Sequence, residues 1–208
     1  MAHCSIIAAR CQWLKEKIIS AKSEKTNKDP SVTTSNNNSL IIEIPDADVS
    51  AFNLVLEYLY TDKIDFSPSS SNTTPALAFS NEVVLNTMRV YTLALSFHLI
   101  LLERLSLRYL ETSVNLNNVL FALTNASSLK LQPIKEYCLR FIVKETNYKQ
   151  IVMSENFESL AQPLMIEVIR RREQFQSKDG IGNYSQNNSF ELNCCPKNLE
   201  LISPDLSI

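Results

Sequence analysis

Glycine is almost absent from this chain, and its absence limits the folds and sites that the chain can form. Only Gly180 and Gly182 are glycines among the 208 residues, so residues 1–179 contain none. Phosphate-binding loops and dinucleotide-binding turns need glycine where the backbone approaches the ligand, and tight β-hairpins favour it in their turns. The sequence therefore excludes both nucleotide-binding motifs and argues against a β-sandwich or β-barrel.

Charge and hydropathy exclude a further group of functions. The chain has 20 basic and 22 acidic residues, which gives a formal net charge of −2, and hydrophobic residues make up 45% of it. This balance favours neither nucleic acid nor an anionic membrane as a partner. The apolar run Leu99–Leu102 is far shorter than the ~20 residues of a membrane span, and no signal peptide is recognisable. We therefore predict a soluble, cytosolic protein with no nucleic-acid binding and no membrane insertion.

Apolar spacing predicts two short helices in the first third of the chain. Residues 4–20 and 51–60 carry apolar side chains at helical intervals. Asp48 or Ser50 can cap the second helix, because their side-chain oxygens accept hydrogen bonds from the first free backbone amides.

Extended and polar segments separate these helices. β-Branched residues at 40–44, ended by Pro45, predict a short strand, and the segment 64–66 predicts a brief extended stretch. Residues 21–39 are almost devoid of apolar side chains, so we predict a flexible insertion there. A second polar loop is predicted at 67–75.

Two helical hairpins with related sequences follow. Residues 84–112 predict two helices broken around 96–99, and residues 119–146 predict two more, broken around 130–133. Their second helices resemble each other at a distance of 32 residues: Leu-Arg-Tyr-Leu at 107–110 corresponds to Leu-Arg-Phe-Ile at 139–142. A single hairpin cannot bury its apolar face alone, so the two hairpins are expected to stack.

The last predicted helical element spans 147–172. It ends in three arginines at 170–172, which favour a helix C-terminus exposed to solvent. From residue 174 onward Asn, Ser, Pro and both glycines return, which predicts a disordered tail.

The residues that usually carry chemistry form no recognisable site. The cysteines are odd in number and do not have the spacing of metal ligands. The two histidines have no recognisable partner for a ligand set or a nucleophilic triad. We therefore predict reduced thiols, most of them buried, and no catalytic residue, metal site or cofactor. The cysteines and histidines considered for such a site are Cys4, Cys11, Cys138, Cys194, Cys195, His3 and His98.

Two sequence motifs resemble those of BTB (POZ) domains. Residues 2–10 read AHCSIIAAR, which is similar to the first helix motif of that family, and residues 55–62 read VLEYLYTD, which is similar to a later helix end. Residues 117–172 resemble the BACK extension of kelch–BTB proteins. The resemblance implies a mainly α-helical fold: an incomplete BTB/POZ α/β domain followed by stacked BACK hairpins.

The resemblance also implies domain limits. They are a partial BTB domain at 1–115 with its insertion at 21–39, a BACK domain at 116–173 and a disordered tail at 174–208. A complete BTB domain starts with a dimerising helix and a β-hairpin, and kelch–BTB proteins carry kelch repeats. None of these segments is recognisable here, so we interpret the chain as a truncated BTB–BACK unit.

Kelch–BTB proteins act as adaptors of cullin–RING ubiquitin ligases, and the resemblance implies the same role here. It implies a cullin scaffold as partner, self-association through BTB and BACK surfaces, and Ras-family GTPase substrates held by kelch repeats. It implies a cytoplasmic location, with endomembranes or the Golgi as an alternative. The implied cullin-docking residues are Trp13, Leu14, Ile18, Tyr60, Asp62, Ile64, Val119, Leu120 and Tyr137.

Other interpretations of the sequence remain open. The apolar docking residues have the helical spacing of core residues as well as of an interface. The chain could also be a BTB-type transcription regulator, or an oligomerisation module without ligase activity. An enzyme is the interpretation that the absence of site chemistry favours least.

Overall fold

The computed structural model describes residues 3–26, 40–45, 47–66 and 80–179 of the chain. These residues form helices and no β-strand, in agreement with the mainly helical fold expected from the sequence. Within the described ranges the helices are, in order, α1 (Cys4–Arg10), α2 (Gln12–Thr26), α3 (Val49–Thr61), α4 (Asn81–Ser96), α5 (Ile100–Ser113), α6 (Val119–Ser128), α7 (Gln132–Ile142), α8 (Glu145–Val152), α9 (Glu155–Glu158) and α10 (Gln162–Asp179).

Local sequence signals explain where three of these helices begin. Asp48 caps α3, because its carboxylate accepts a 3.1 Å hydrogen bond from the amide of Ala51. Ser80 caps α4 through a 3.3 Å bond from the amide of Val83. Pro133 lies in the first turn of α7, where the missing N–H removes no helical hydrogen bond.

The turns after α3, α4 and α6 adopt a left-handed backbone without glycine. Asp62, His98 and Lys130 have φ angles of 59°, 57° and 56°. A Cβ atom disfavours this conformation by about 1–2 kcal/mol, which is why glycine is the usual residue in such turns. The glycine-free part of the chain, residues 1–179, therefore makes these helical turns at a small cost in stability.

Both predicted helical hairpins are confirmed. α4 and α5 form the first, with a turn at 97–99, and α6 and α7 form the second, with a turn at 129–131. The helix predicted at 51–60 is also present, as α3. The helix predicted at 4–20 is divided at Cys11, whose extended φ of −135° separates α1 from α2.

The strand predicted at 40–44 is wrong. These residues form neither helix nor strand, and the described ranges contain no strand that could pair with them. A lone strand leaves its backbone N–H and C=O groups without partners, so β-branched residues alone do not produce one. Leu40, Ile42 and Ile44 instead pack, partly buried, against neighbouring helices.

Two helices continue beyond the limits expected from the sequence. α2 reaches Thr26, inside the insertion predicted at 21–39, and α10 reaches Asp179, beyond the predicted start of the tail at 174. The rest of the insertion, the polar loop at 67–75 and the rest of the tail lie outside the described residues.

The expectation that the arginines at 170–172 end a helix in solvent is also wrong. They lie in the middle of α10, and Arg172 is buried. Its guanidinium donates a 2.6 Å hydrogen bond to the carbonyl of Val143, pairs with Glu145 and lies 4.9 Å from the centre of the Tyr148 ring. Arg172 therefore fastens α10 to the junction between α7 and α8.

Two further ion pairs join α10 to α7. Arg171 donates to both carboxylate oxygens of Glu136, at 2.8 and 2.7 Å. Lys135 Nζ lies 2.8 Å from the carboxylate of Glu167. The charged residues of α10 thus position this helix on the body of the molecule.

The helices enclose two hydrophobic cores. The first core lies among α1, α2, α3 and parts of α4 and α5; its buried residues are Ile7, Cys11, Leu14, Ile18, Ala51, Val55, Tyr58, Leu59, Phe66, Val90, Leu93, Ala94, Phe97 and Leu102. The second core lies among α4 to α10; its buried residues are Val84, Met88, Tyr91, Leu110, Val114, Val119, Leu120, Ala122, Leu123, Ala126, Leu131, Ile134, Cys138, Leu139, Ile142, Ile151, Phe157, Leu160, Leu164 and Val168.

α4 contributes to both cores through two faces. Val84, Met88 and Tyr91 follow helical spacing and pack into the second core. Val90, Leu93 and Ala94 occupy another face and pack into the first core. α4 therefore connects the two cores, because its side chains are part of both.

Candidate docking surface

Four of the nine residues predicted for docking are buried in the two cores. Leu14 and Ile18 are 3% and 5% exposed in the first core, and Val119 and Leu120 are 0% and 7% exposed in the second. Buried side chains are not available to a partner. Helical spacing of apolar residues is the same for a core stripe and for an interface, so the sequence pattern could not separate the two.

Trp13 reaches the surface from α2. Its half-buried indole stacks on Phe97, with ring centres 4.7 Å apart and an angle of 30° between the planes. Lys17 Nζ lies 5.3 Å from the centre of the indole. Because Phe97 lies in the turn between α4 and α5, the stacked pair holds α2 against that turn, with the ammonium group of Lys17 over the indole ring.

Tyr60 joins the end of α3 to the start of α1. Its side chain is 38% exposed, and its hydroxyl accepts a hydrogen bond from the backbone N–H of His3. The Nδ1 atom of His3 lies 3.3 Å from the same hydroxyl, and the two rings meet edge to face. These contacts fix the orientation of an exposed aromatic side chain.

Asp62 and Arg10 form an exposed ion pair at the same end of α3. The guanidinium donates to both carboxylate oxygens, with 2.7 Å between Nη1 and Oδ2. This hydrogen bond lowers the pKa of Asp62 and raises the pKa of Arg10. The pair ties α1 to the left-handed turn after α3.

Ile64 and Tyr137 are partly buried, each against its own core. Ile64 packs at the edge of the first core. Tyr137 packs against the second, and its hydroxyl donates a 2.5 Å hydrogen bond to the carbonyl of Glu111. Burial raises the pKa of the Tyr137 phenol. The structure therefore brings Tyr60 and Asp62 together, whereas Tyr137 belongs to the other core.

An exposed apolar group that was not predicted from the sequence lies at the turn between α4 and α5. Leu95, Ile100 and Leu101 are 41%, 63% and 58% exposed. Together with Trp13 they form what we call the turn patch. The apolar run 99–102 could have indicated this exposure, because one helix face cannot bury four consecutive apolar residues.

The cysteines of the described residues occur in different surroundings. Cys11 and Cys138 are buried and Cys4 is exposed, whereas Cys194 and Cys195 lie outside the described residues. Burial raises the pKa of both buried thiols, that of Cys138 to about 12. In the part of the chain that the structure describes, no three His, Cys, Asp or Glu side chains are grouped to hold a metal ion. No helix in these ranges is both long and apolar enough to cross a membrane.

Comparison with known proteins identifies relatives of this sequence. Residues 1–94 match the BTB/POZ domain family. In an alignment of 185 positions that covers 83% of the chain, the sequence is 38% identical to leucine-zipper-like transcriptional regulator 1 of Mus musculus and 37% identical to that of Homo sapiens. A homolog of this regulator in Drosophila melanogaster is 30% identical over 187 residues.

The match covers only part of these relatives. The chain spans 21% of the length of the two mammalian proteins and 18% of the Drosophila protein. The resemblance to BTB proteins that the motifs indicated is confirmed. The chain therefore contains a BTB/POZ domain, and over most of its length it is similar to the leucine-zipper-like transcriptional regulators.

Proposed function

We propose that this chain is a protein-interaction module that docks on a cullin scaffold and serves as an adaptor of a cullin–RING ubiquitin ligase. The turn patch is the observation that supports docking most directly, because it exposes three large aliphatic side chains around the turn whose Phe97 stacks on the half-buried Trp13. Grouped exposed apolar side chains are typical of interaction sites. The BTB/POZ domain agrees with an adaptor role.

The turn patch has the composition of a docking site. Ile100 and Leu101 supply an apolar centre, and Lys17 with His98 supplies an exposed polar rim. Interfaces commonly combine apolar anchors with such a rim. Tyr60 and Asp62 extend the proposed surface at the end of α3, and Ile64 and Tyr137 are secondary candidates.

An adaptor breaks no bond itself. It raises the effective concentration of a target near the ligase, so the proposal requires no catalytic residue and no cofactor. In this proposal, Ras-family GTPase targets are bound by kelch repeats, and no kelch repeat is recognisable in residues 1–208. The proposal includes the BTB limits at 1–115, the BACK limits at 116–173, a cytoplasmic location and self-association through these domains.

Titration of the purified full chain with a cullin N-terminal domain tests this proposal. We expect Ile100→Glu combined with Leu101→Glu to weaken binding about 30-fold or more, because charges replace two interface anchors. Met153→Glu is the matched control, since Met153 is 80% exposed outside the turn patch. Circular dichroism checks that both variants fold.

Two results contradict the proposal. One is the absence of binding by the wild-type chain at micromolar concentration. The other is equal weakening by the turn-patch variant and by the Met153 control. Either result leaves the transcription regulator or the oligomerisation module as the better description.

A further inference from the structure

The outward face of α5 combines exposed apolar groups with unpaired basic groups. Ile100, Leu101 and Leu105 are 63%, 58% and 37% exposed. Arg104 and Arg108 are also exposed, and neither forms an ion pair with any of the described residues. Positions 100, 101, 104, 105 and 108 share one side of a helix. We call these five residues the α5 outer face.

The two acidic residues of α5, Glu103 and Glu111, are not part of the α5 outer face, so that face carries only basic charges. Glu103 is half-buried and lies near Tyr91, whose pKa is raised by burial and, to a smaller extent, by the charge of Glu103. Glu111 lies almost one turn beyond Arg108 and marks the end of the basic stretch. A complementary occupant needs apolar side chains for the aliphatic groups and carboxylates for the two guanidinium groups.

One segment of this chain has that composition. Residues 199–206 read LELISPDL, with the apolar residues Leu199, Leu201, Ile202 and Leu206 and the acidic residues Glu200 and Asp205. The segment contains no basic residue. Its two carboxylates are five positions apart, and the two arginines of the α5 outer face are four positions apart.

The chain between α10 and this segment is long enough to reach α5. α10 ends at Asp179, about 20 residues before Leu199. About 20 extended residues span roughly 65 Å. A compact domain of this size is only about 40 Å across, so its surface lies within reach.

We propose that residues 199–206 dock on the α5 outer face of their own chain. The leucine and isoleucine side chains cover Ile100, Leu101 and Leu105, while Glu200 and Asp205 pair with Arg104 and Arg108. Ile100 and Leu101 also belong to the turn patch, so the docked segment competes with a cullin. This regulatory consequence rests on the proposed function.

A spin label on Cys195 of the full chain tests the docking. Cys4→Ser and Cys194→Ser remove competing reactive sites, whereas Cys11 and Cys138 are buried. We expect the label to broaden the methyl NMR signals of Ile100, Leu101 and Leu105 selectively. Val49, which is 75% exposed on α3, is the control methyl group.

Charge reversal adds a second measurement. Arg104→Glu with Arg108→Glu is expected to abolish the selective broadening, as is Glu200→Arg with Asp205→Arg. The combination of all four substitutions is expected to restore it, because the charges are complementary again. Lys149→Glu, a reversal of an exposed charge on α8, is expected to leave the broadening unchanged.

Three results overturn the docking proposal. Broadening spread evenly over exposed methyl groups shows that the segment has no preferred site. Broadening unaffected by either charge-reversal pair shows that the proposed ion pairs do not form. Broadening between spin-labelled and isotope-labelled chains in a mixed sample shows that a second copy covers the face.

The cullin titration separates this inference from the proposed function. A segment that covers the face about nine-tenths of the time weakens the apparent affinity about tenfold, so Glu200→Arg with Asp205→Arg should strengthen cullin binding by that factor. Unchanged cullin affinity rejects the regulatory consequence and leaves docking intact. If no variant binds cullin, the proposed function fails while the spin-label result still decides on docking.

Discussion

The two hydrophobic cores of this chain differ in how completely their side chains are covered. Among the described residues, the second core has 20 buried side chains and six partly buried apolar ones packed against it. The first core has 14 buried side chains and 12 partly buried ones. A larger share of the first core thus lies at its edge, although both cores share α4 and α5.

This difference follows from how each core is assembled. The second core is built mainly from α6 to α10, consecutive helices that pack on one another and on the hairpin α4–α5. The first core also depends on residues 40–44, which form no regular structure. Local stability tends to be lower where apolar residues are only partly covered. We therefore expect the first core to open more readily than the second.

The two buried cysteines offer the strongest test, because each lies in a different core. Cys11 is 1% exposed in the first core, and Cys138 is 0% exposed in the second. Labelling requires local opening, so we expect Cys138 to react at least about tenfold more slowly than Cys11, which corresponds to about 1.4 kcal/mol in opening free energy. Alkylation followed by peptide-resolved mass spectrometry measures both rates.

Cys4 and the unfolded chain provide the controls for labelling. Cys4 is exposed and should react first, and in concentrated urea Cys11 and Cys138 should react alike. Equal rates for Cys11 and Cys138 under native conditions would show that the two cores open as one cooperative unit.

Arg172 tests how far buried ionic contacts stabilise the second core. Arg172→Ala removes a charged hydrogen bond to the carbonyl of Val143, so we expect a loss of about 2 kcal/mol in the free energy of unfolding. The pair with Glu145 adds little, because that side chain is 85% exposed. Urea denaturation followed by circular dichroism measures the change.

Arg170 is the matched control for this substitution. It is exposed on the same helix, so Arg170→Ala should change the free energy of unfolding by no more than about 0.5 kcal/mol. If both variants lose the same free energy of unfolding, the buried hydrogen bond of Arg172 adds no more stability than an exposed arginine does.

The ion pair between Arg10 and Asp62 gives the smallest effect, since it is exposed beside the first core. The hydrogen bond from Arg10 lowers the pKa of Asp62, so the folded chain binds this proton less readily than the unfolded chain. Its stabilisation is therefore present above the ordinary carboxyl pKa of about 4 and is lost as pH falls through the lowered pKa. Asp62→Asn should remove this dependence.

Urea midpoints of the wild type and of Asp62→Asn, measured from about pH 6 to about pH 2, check the prediction. The difference between the two proteins should shrink as the solution becomes acidic. A constant difference would show that Asp62 acts through the left-handed turn that it occupies and not through its charge.

The sequence predicted the hairpins better than it predicted which apolar side chains are buried. Pro133 at the start of α7 and Asp48 before α3 are local signals, and each acts on amides within its own helix. Leu14 and Trp13 are neighbours with similar hydropathic character, yet one is buried and the other reaches the surface. That distinction depends on which helices pack nearby, and the spacing of residues along one helix does not contain it.

The sequence by itself determined helix α3, the two helical hairpins with their turns and the resemblance to BTB proteins, because these depend on residues close together in the chain. Only the tertiary structure decided that α4 faces two cores and that Arg172 is buried. It also decided that residues 40–44 form no strand within the described ranges. Burial and strand pairing depend on partners far away in sequence, and the fold alone brings those partners together.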